Sequence, residues 1–241
     1  MAAQHRAVLK RASSKYRVPS PVIVSVWGLE STFGRFTGTR PTIAALATLA
    51  HDNRRAAMFR SELIDALRII DAGDVNLVNM TGSWAGAMGQ PQFMPSSYLK
   101  YAVDADGDGR RDIWRSQADA FGSIANYLKE HGWKAGERWG RAVRVPKAVE
   151  GKVADAAPMR LQGCAAERQM TVPLPLSRWR SLGVTTEGRA ALPKSKLPAS
   201  LVRAGSRSFL VYENYESILA YNCAHAYALS VALLSDRVGG R

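Results

Sequence analysis

Two groups of carboxylates in this sequence have types and spacings that could do chemistry. Glu30, in "VWGLESTFGRFTG" (Val26 to Gly38), comes three residues after Trp27 and four after Val26. At helical spacing it shares their apolar face. A carboxyl so placed loses water, which favours its neutral form and makes it a candidate general acid. A boundary Glu paired with Arg35 or Arg40 fits the same spacing. The second group is "DADGDGRRD". Asp104, Asp106 and Asp108 alternate, Gly109 stands sixth for a sharp turn, and Arg110 offers its carbonyl seventh. That is the opening of an EF-hand calcium loop, in which three crowded carboxylates need a cation. Arg115 stands at position twelve, where a bidentate Glu is the rule, and Asp119 could close the shell from farther on. Ser116 and Asp119 also fit an S-x-x-D helix cap. The ion expected is Ca2+ in a structural role, with no organic cofactor.

Other chemistries lack their signatures. The four histidines show no zinc spacing, and there is no G-x-S-x-G elbow, P-loop or G-x-G-x-x-G turn.

The elements that must position these groups are mostly helices. Ser20-Pro21 reads as a helix start, with Ser as N-cap and Pro at the first helical position, and the helix expected over 20–33 carries Glu30. Others are expected over 3–15, 42–50, 54–71 and 117–131. Within 54–71, Leu63, Ala66, Leu67 and Ile70 mark the apolar face; within 117–131, Phe121, Ile124, Ala125 and Leu128 do. Between them lies "TGSWAGAMGQPQFMPSSY", an irregular tract of the kind that carries functional groups. After Gly140 the texture changes: residues 141–205 hold six of the eleven prolines and only short apolar runs, a smaller loop-rich lobe with short strands. "SFLVYENY" has strand character, and "AYNCAHAYALSVALLSDRV" reads as a closing helix with Tyr227, Val231 and Leu234 on one face. The fold class expected is mainly α with a small β-containing lobe. Its parts are a helical core over 1–140 that includes the calcium loop 104–119, a Pro-rich α/β lobe over 141–210, and a strand and helix over 211–241 returning to the core.

At 241 residues the chain can bury a substantial core. No apolar run approaches the roughly 20 residues of a membrane span, and the N-terminal residues lack a signal core. The net charge of +13 favours polyanionic partners, yet the basic residues are scattered and no nucleic-acid signature is present. Cys164 and Cys223 can form one disulfide in an exported protein, or remain as two buried thiols. A sugar-binding groove wants aromatic platforms and amides, and Trp27, Phe33, Trp84, Gln90, Gln92, Tyr98, Tyr221 and Asn222 offer that mix.

"GLESTFGRFTG", "GSWAGAMGQPQFMPSSY" and "VDADGDGRRDIW…ADAFGSIANYLKEHGW", in this order, resemble the lytic murein transglycosylases of the family B type. The match is dense from about residue 20 to 140, loose over 141–210, and resumes at "YNCAHAYALSVALL". The resemblance implies a lysozyme-like catalytic core that cleaves the β-1,4 bond between N-acetylmuramic acid and N-acetylglucosamine in peptidoglycan. No water is added, and a 1,6-anhydro end is left. Glu30 matches the family's single acid/base. Ser83, Gln92, Tyr221 and Asn222 match polar positions of its groove, and Arg54 and Arg55 a basic pair contacting substrate. Asp104, Asp106, Asp108, the Arg110 carbonyl and Asp119 match the calcium ligands, although one extra residue separates Trp114 from Asp119 here. The partners implied are peptidoglycan strands, with no nucleic acid, no transmembrane segment and a monomeric state. The location implied is the periplasm, for an exported chain shown without its leader, soluble or lipid-anchored. Rival readings are a muramidase on the same fold and a non-catalytic wall-binding module.

Overall fold

The computed structural model describes residues 5–240. The chain divides into two units, one running to Lys129 and resuming at Leu234, the other covering Glu130–Leu233.

The first unit holds helices α1 (Arg6–Tyr16), α2 (Ser20–Ser31), α3 (Thr42–His51), α4 (Ala56–Asp71), α5 (Pro95–Tyr101) and α6 (Gln117–Glu130). Two short strands, β1 (Arg40–Pro41) and β2 (Thr81–Gly82), pair antiparallel. Pro95 opens α5, and Pro21 is the second residue of α2, positions where a missing amide hydrogen costs nothing. The N-cap of α2 is Pro19 and not Ser20, whose hydroxyl donates to the Leu9 carbonyl instead. α6 is buried on nearly every side, from Asp119 to Ala125, and Tyr127 and Leu128 are buried too. Its expected apolar face is therefore only part of a helix buried along its middle, with Gln117, Lys129 and Glu130 exposed at its ends. The Phe121 ring meets Trp27 of α2 edge to face at 4.9 Å. On α4 the buried residues are Phe59, Ala66 and Ile69, while Leu67 is 50% exposed. The expected stripe is thus rotated, because Phe59 and Ile69 supply the larger inward groups.

The second unit contains β3 (Gly140–Arg144), α7 (Glu150–Ala156), β4 (Leu174–Pro175), α8 (Leu176–Ser181), β5 (Thr185–Thr186), β6 (Pro198–Ala204), β7 (Arg207–Val211) and α9 (Glu213–Tyr221); α10 (His225–Val238) begins in it. The five strands form an antiparallel sheet in the order β4-β6-β7-β3-β5. Trp179 of α8, fully buried, anchors the core on this sheet and donates its indole N–H to the Ala199 carbonyl at 2.8 Å.

Several boundaries differ from the sequence expectation. The helix bearing Glu30 ends at Ser31, because Thr32 and Phe33 adopt positive φ. In "SFLVYENY" only the residues to Val211 are strand, and Glu213 already begins α9. The closing helix is two helices at 119°. Asn222 takes an extended conformation and caps α9, and its carbonyl accepts the Ala224 amide. Among the described residues no single helix is long and apolar enough to cross a membrane.

Cys223 lies in that break and is disulfide-bonded to Cys164, 59 residues away. Closing a loop of that length lowers the entropy of the unfolded chain by an amount worth about 4 kcal/mol. Cys164→Ala with Cys223→Ala should lower unfolding stability by about 3–4 kcal/mol, read as a shift of the denaturant midpoint. An unchanged midpoint would show that the bridge adds nothing to the second unit.

Candidate active site

Glu30 is the penultimate residue of α2 and is half-buried, between exposed Leu29 and buried Ser31. The turn after it is unusual. Thr32 (φ 51°), Phe33 (φ 60°) and Gly34 (φ 74°) lie consecutively in the left-handed region. A β-branched and an aromatic residue there cost roughly 1 kcal/mol each or more, and persist only where the surroundings impose them. The surroundings are visible. Ser31 Oγ donates to the Trp27 carbonyl at 3.0 Å and accepts the Gly34 amide at 3.0 Å. The Phe36 amide closes on the Ser31 carbonyl at 2.9 Å. Phe33 folds back edge-on to Trp27 at 5.6 Å, directly over Gly28, where a Cβ would meet the ring at 2.6 Å. The spacing G-x-E-S-x-F-G is therefore a local device: Gly28 admits the ring, Ser31 ties the turn, and Glu30 is held at its mouth.

Behind the turn, Trp27 is 2% exposed and donates its indole N–H to Gln90 Oε1 at 2.8 Å. Gln90, also buried, donates to the Trp114 carbonyl at 3.1 Å and its amide bonds the Ile113 carbonyl. Tyr98 is fully buried with its hydroxyl on the Arg111 carbonyl. Trp27, Gln90 and Tyr98, offered as groove residues by their types, are thus core residues that brace the site from behind. Trp84, by contrast, is 73% exposed.

Ser83 and Gln92 organise the tract that follows β2. Ser83 Oγ accepts the amides of Ala85 and Ala87, and its own amide donates to the Ala87 carbonyl at 2.7 Å. Met88 and Phe93 exchange both backbone hydrogen bonds. Gln92, at φ 52°, donates its amide group to the Thr37 carbonyl at 3.1 Å and to Gly89 at 2.8 Å. It therefore joins the loop after Glu30 to the tract carrying Ser83.

Arg54 and Arg55 are exposed before α4. With Asp52, Leu49, Phe59 and Trp84 they line a cleft of about 300 Å³. Arg54 grips Asp52 in a bidentate pair at 2.8 and 3.2 Å, which holds the Asp52 carboxyl down to about 2. Glu62 receives the amide and hydroxyl of Ser96 at 2.9 and 2.7 Å, at the start of α5. Asp52 and Glu62 are thus each held by a partner from their own surroundings. Tyr221 and Asn222 belong to the second unit, at the end of α9, with Tyr221 stacked on Tyr227 at 6.3 Å and Asn222 exposed.

In the acidic loop, ligand oxygens of Asp104, Asp106 and Asp108 lie within 4.8 Å of one another. Asp104 accepts the amides of Gly107 and Gly109 at 2.6 and 2.9 Å, and these bonds lower its pKa. Gly109 has φ 87°, as a sixth-position turn requires. Asp108 accepts the Arg110 amide at 2.9 Å and Asp106 the Ser116 hydroxyl at 2.6 Å, and three hard oxygen donors held in this way fit a calcium ion. Position twelve departs as the sequence indicated, since Arg115 turns to Asn79 at 3.3 Å. Asp119 is fully buried and accepts the amides of Ala105 and Asp112 at 2.7 and 2.8 Å, while burial pushes its pKa up to about 6. Ser116 Oγ accepts the Asp119 amide at 3.2 Å, so the helix-cap half of the alternative reading is formed too.

The family model described as a transglycosylase SLT domain matches residues 1–236. The membrane-bound lytic murein transglycosylase B of Escherichia coli (strain K12) is 45% identical over 136 residues, which is 56% of this chain and 37% of that protein. SltB3 from Pseudomonas aeruginosa, solved in complex with NAG-anhNAM-pentapeptide, is 41% identical with a TM-score of 0.89, over 99% of this chain and 61% of that one. It has also been solved in complex with NAG-NAM-pentapeptide. The Escherichia coli lytic transglycosylase Slt35, solved in complex with calcium, is 33% identical with a TM-score of 0.81, over 99% of this chain and 72% of that one. The chain thus spans little more than a third of the curated relative and about three-fifths of SltB3. With almost its whole length matched by the family model, the chain belongs to the transglycosylase SLT domain family.

Proposed function

We propose that this chain cleaves peptidoglycan strands at the β-1,4 bond between N-acetylmuramic acid and N-acetylglucosamine, without water, leaving a 1,6-anhydro end. The observation that carries it is the half-buried Glu30 held at the mouth of a strained, Ser31-tied turn. The neutral carboxyl gives its proton to the departing O4 as the C1–O bond breaks. The resulting carboxylate takes the proton of the muramic C6 hydroxyl as that oxygen bonds to C1, which restores the acid. An ordinary glycosidase needs a second carboxylate as nucleophile or water-activating base. No sequence motif supplies a partner carboxylate to Glu30, which favours the intramolecular route over hydrolysis. The SltB3 complexes with a NAG-NAM and a NAG-anhNAM pentapeptide support the same substrate class.

Ser83, Gln92, Arg54, Arg55, Tyr221 and Asn222 are assigned to substrate through the family motif. Ser83 and Gln92 also hold the loops beside Glu30 in register, and the two arginines suit peptide carboxylates. Calcium is assigned to Asp104, Asp106, Asp108 and the Arg110 carbonyl. Asp119 remains in the set because a carboxylate accepting two amides keeps further lone pairs for a cation. The ion would neutralise the three carboxylates and fix the loop ahead of α6. The disulfide suits an oxidising, extracytoplasmic compartment, and the periplasm is the location we assign.

Mass spectrometry of muropeptides released from purified sacculi tests the reaction. Ends of 1,6-anhydromuramic acid, one water lighter than reducing ends, are expected; reducing ends alone would overturn the non-hydrolytic route. For the metal, calcium should raise the melting temperature of the chain, by about 2.7 kcal/mol of stability at a hundredfold excess over Kd. Asp104→Ala with Asp108→Ala should abolish that rise. A rise that persists in the double variant would exclude this loop.

A further inference from the structure

The second unit contains a cleft of about 500 Å³ that the proposed reaction does not use. Its wall carries charges of both signs: Arg160 and Lys134, Glu213 and Glu216. Arg160 is fixed. Its Nε donates to the Thr171 carbonyl at 3.3 Å, and one Nη group donates to buried Ser200 Oγ and to Glu216, both at 2.7 Å. Only 18% of its side chain is exposed, and its other Nη group makes no hydrogen bond among the described residues. Lys134 and Glu213 pair loosely, at 3.6 Å, with exposures of 54% and 50%. A pair of that kind contributes little to stability and can exchange partners with an incoming group.

The charge pattern selects among ligands. A lone anion meets two carboxylates here, and a lone cation meets a guanidinium and an ammonium, so neither gains net attraction. A bare sugar wants an aromatic face, and the aromatic residue on this wall, Tyr212, is 2% exposed. A group carrying both charges satisfies all four residues. We propose that this cleft binds a zwitterionic peptide group, with its carboxylate on the unused Nη of Arg160 and on Lys134 and its ammonium on Glu213 and Glu216. The source we assign is a diamino dicarboxylic acid residue of a peptidoglycan stem peptide, whose side chain carries both an ammonium and a carboxylate. That source rests on the proposed function, and both SltB3 ligands carry a pentapeptide; the zwitterion class rests on the cleft alone.

The test is calorimetric titration of the whole chain with an N-acetylated pentapeptide that contains one diamino dicarboxylic acid and no sugar. Two modified forms serve as comparisons, one with the side-chain amine acetylated and one with the side-chain carboxylate amidated. Each modification should weaken binding by at least about tenfold, or 1.4 kcal/mol. Lys134→Gln with Glu213→Gln should weaken the unmodified peptide to a similar degree. Arg160→Met should remove binding; if it fails to fold, the exposed Lys134–Glu213 variant decides the matter alone. Equal affinity for all three peptides, or full affinity in the double variant, would overturn the proposal. Peptide discrimination without any cleavage of sacculi would leave the cleft standing and remove the proposed reaction. Cleavage with no discrimination would do the reverse.

Discussion

Glu30→Gln should lose glycan-strand cleavage by about 10³- to 10⁴-fold while keeping its fold. The amide has the shape of the acid and no transferable proton. A positioned general acid contributes roughly 10²- to 10⁴-fold, and here one group is asked to protonate the leaving oxygen and then to deprotonate the C6 hydroxyl. A loss of 10³-fold corresponds to about 4 kcal/mol of transition-state stabilisation. Half-buried at the end of α2, the side chain carries little of the core, so the melting curve should move by less than about 1 kcal/mol. Anhydro-muropeptides released per unit time from sacculi provide the readout, with sacculus binding as the control. Turnover within tenfold of the parent would sink the assignment of Glu30. Unaltered binding with no release would be its strongest support.

The second large effect is expected at a residue without a side chain. Gly38 has φ 90°, and a Cβ there would meet the Gly82 carbonyl carbon and oxygen at 2.1 Å and the Ser83 amide at 2.5 Å. These are backbone atoms, which cannot rotate away. Carbon atoms settle at about 3.5 Å or more, so Gly38→Ala must push the loop after Glu30 away from β2 by more than 1 Å. Gly82 cannot yield, since it already packs on the Ala87 carbonyl. We expect a stability loss of about 3 kcal/mol or more. In the folded fraction, turnover should fall about 100-fold, because displacement by 1 Å at a catalytic centre has that cost. Gly73 gives the control: its φ is 79° with nothing within 4 Å of a Cβ. Gly73→Ala should therefore show the backbone penalty alone, about 1 kcal/mol, with full activity. If Gly38→Ala melts with Gly73→Ala and turns over normally, the close contact of the two loops does not set the site.

Both effects concern one motif that was only half legible in the chain. The place of Glu30 on the face of Trp27 follows from spacing, because helical periodicity is local. The turn that ends the helix two residues earlier than expected does not. Thr32 and Phe33 have no intrinsic preference for positive φ, and only Phe33 closing over Gly28, with Ser31 bonded to Trp27 and Gly34, imposes it. Aromatic and amide residues were readable as types and not as roles. Trp27, Gln90 and Tyr98 are core braces, whereas Trp84 is exposed, and burial is a property of everything packed around a residue. The carboxylates of Asp52 and Glu62 likewise acquire their partners, Arg54 and Ser96, by contact.

By itself the sequence determined the mostly helical character of residues 5–130, the change of texture after Gly140, the alternating acidic loop and the candidate acid. Each of these depends on neighbours within a few positions along the chain. The tertiary structure alone decided that Cys164 and Cys223 are joined, that the closing helix breaks at Asn222, and that four charges line one cleft of the second unit. Those pairings span tens of residues, and no local preference encodes a contact whose energy exists only once both partners have been brought together by folding.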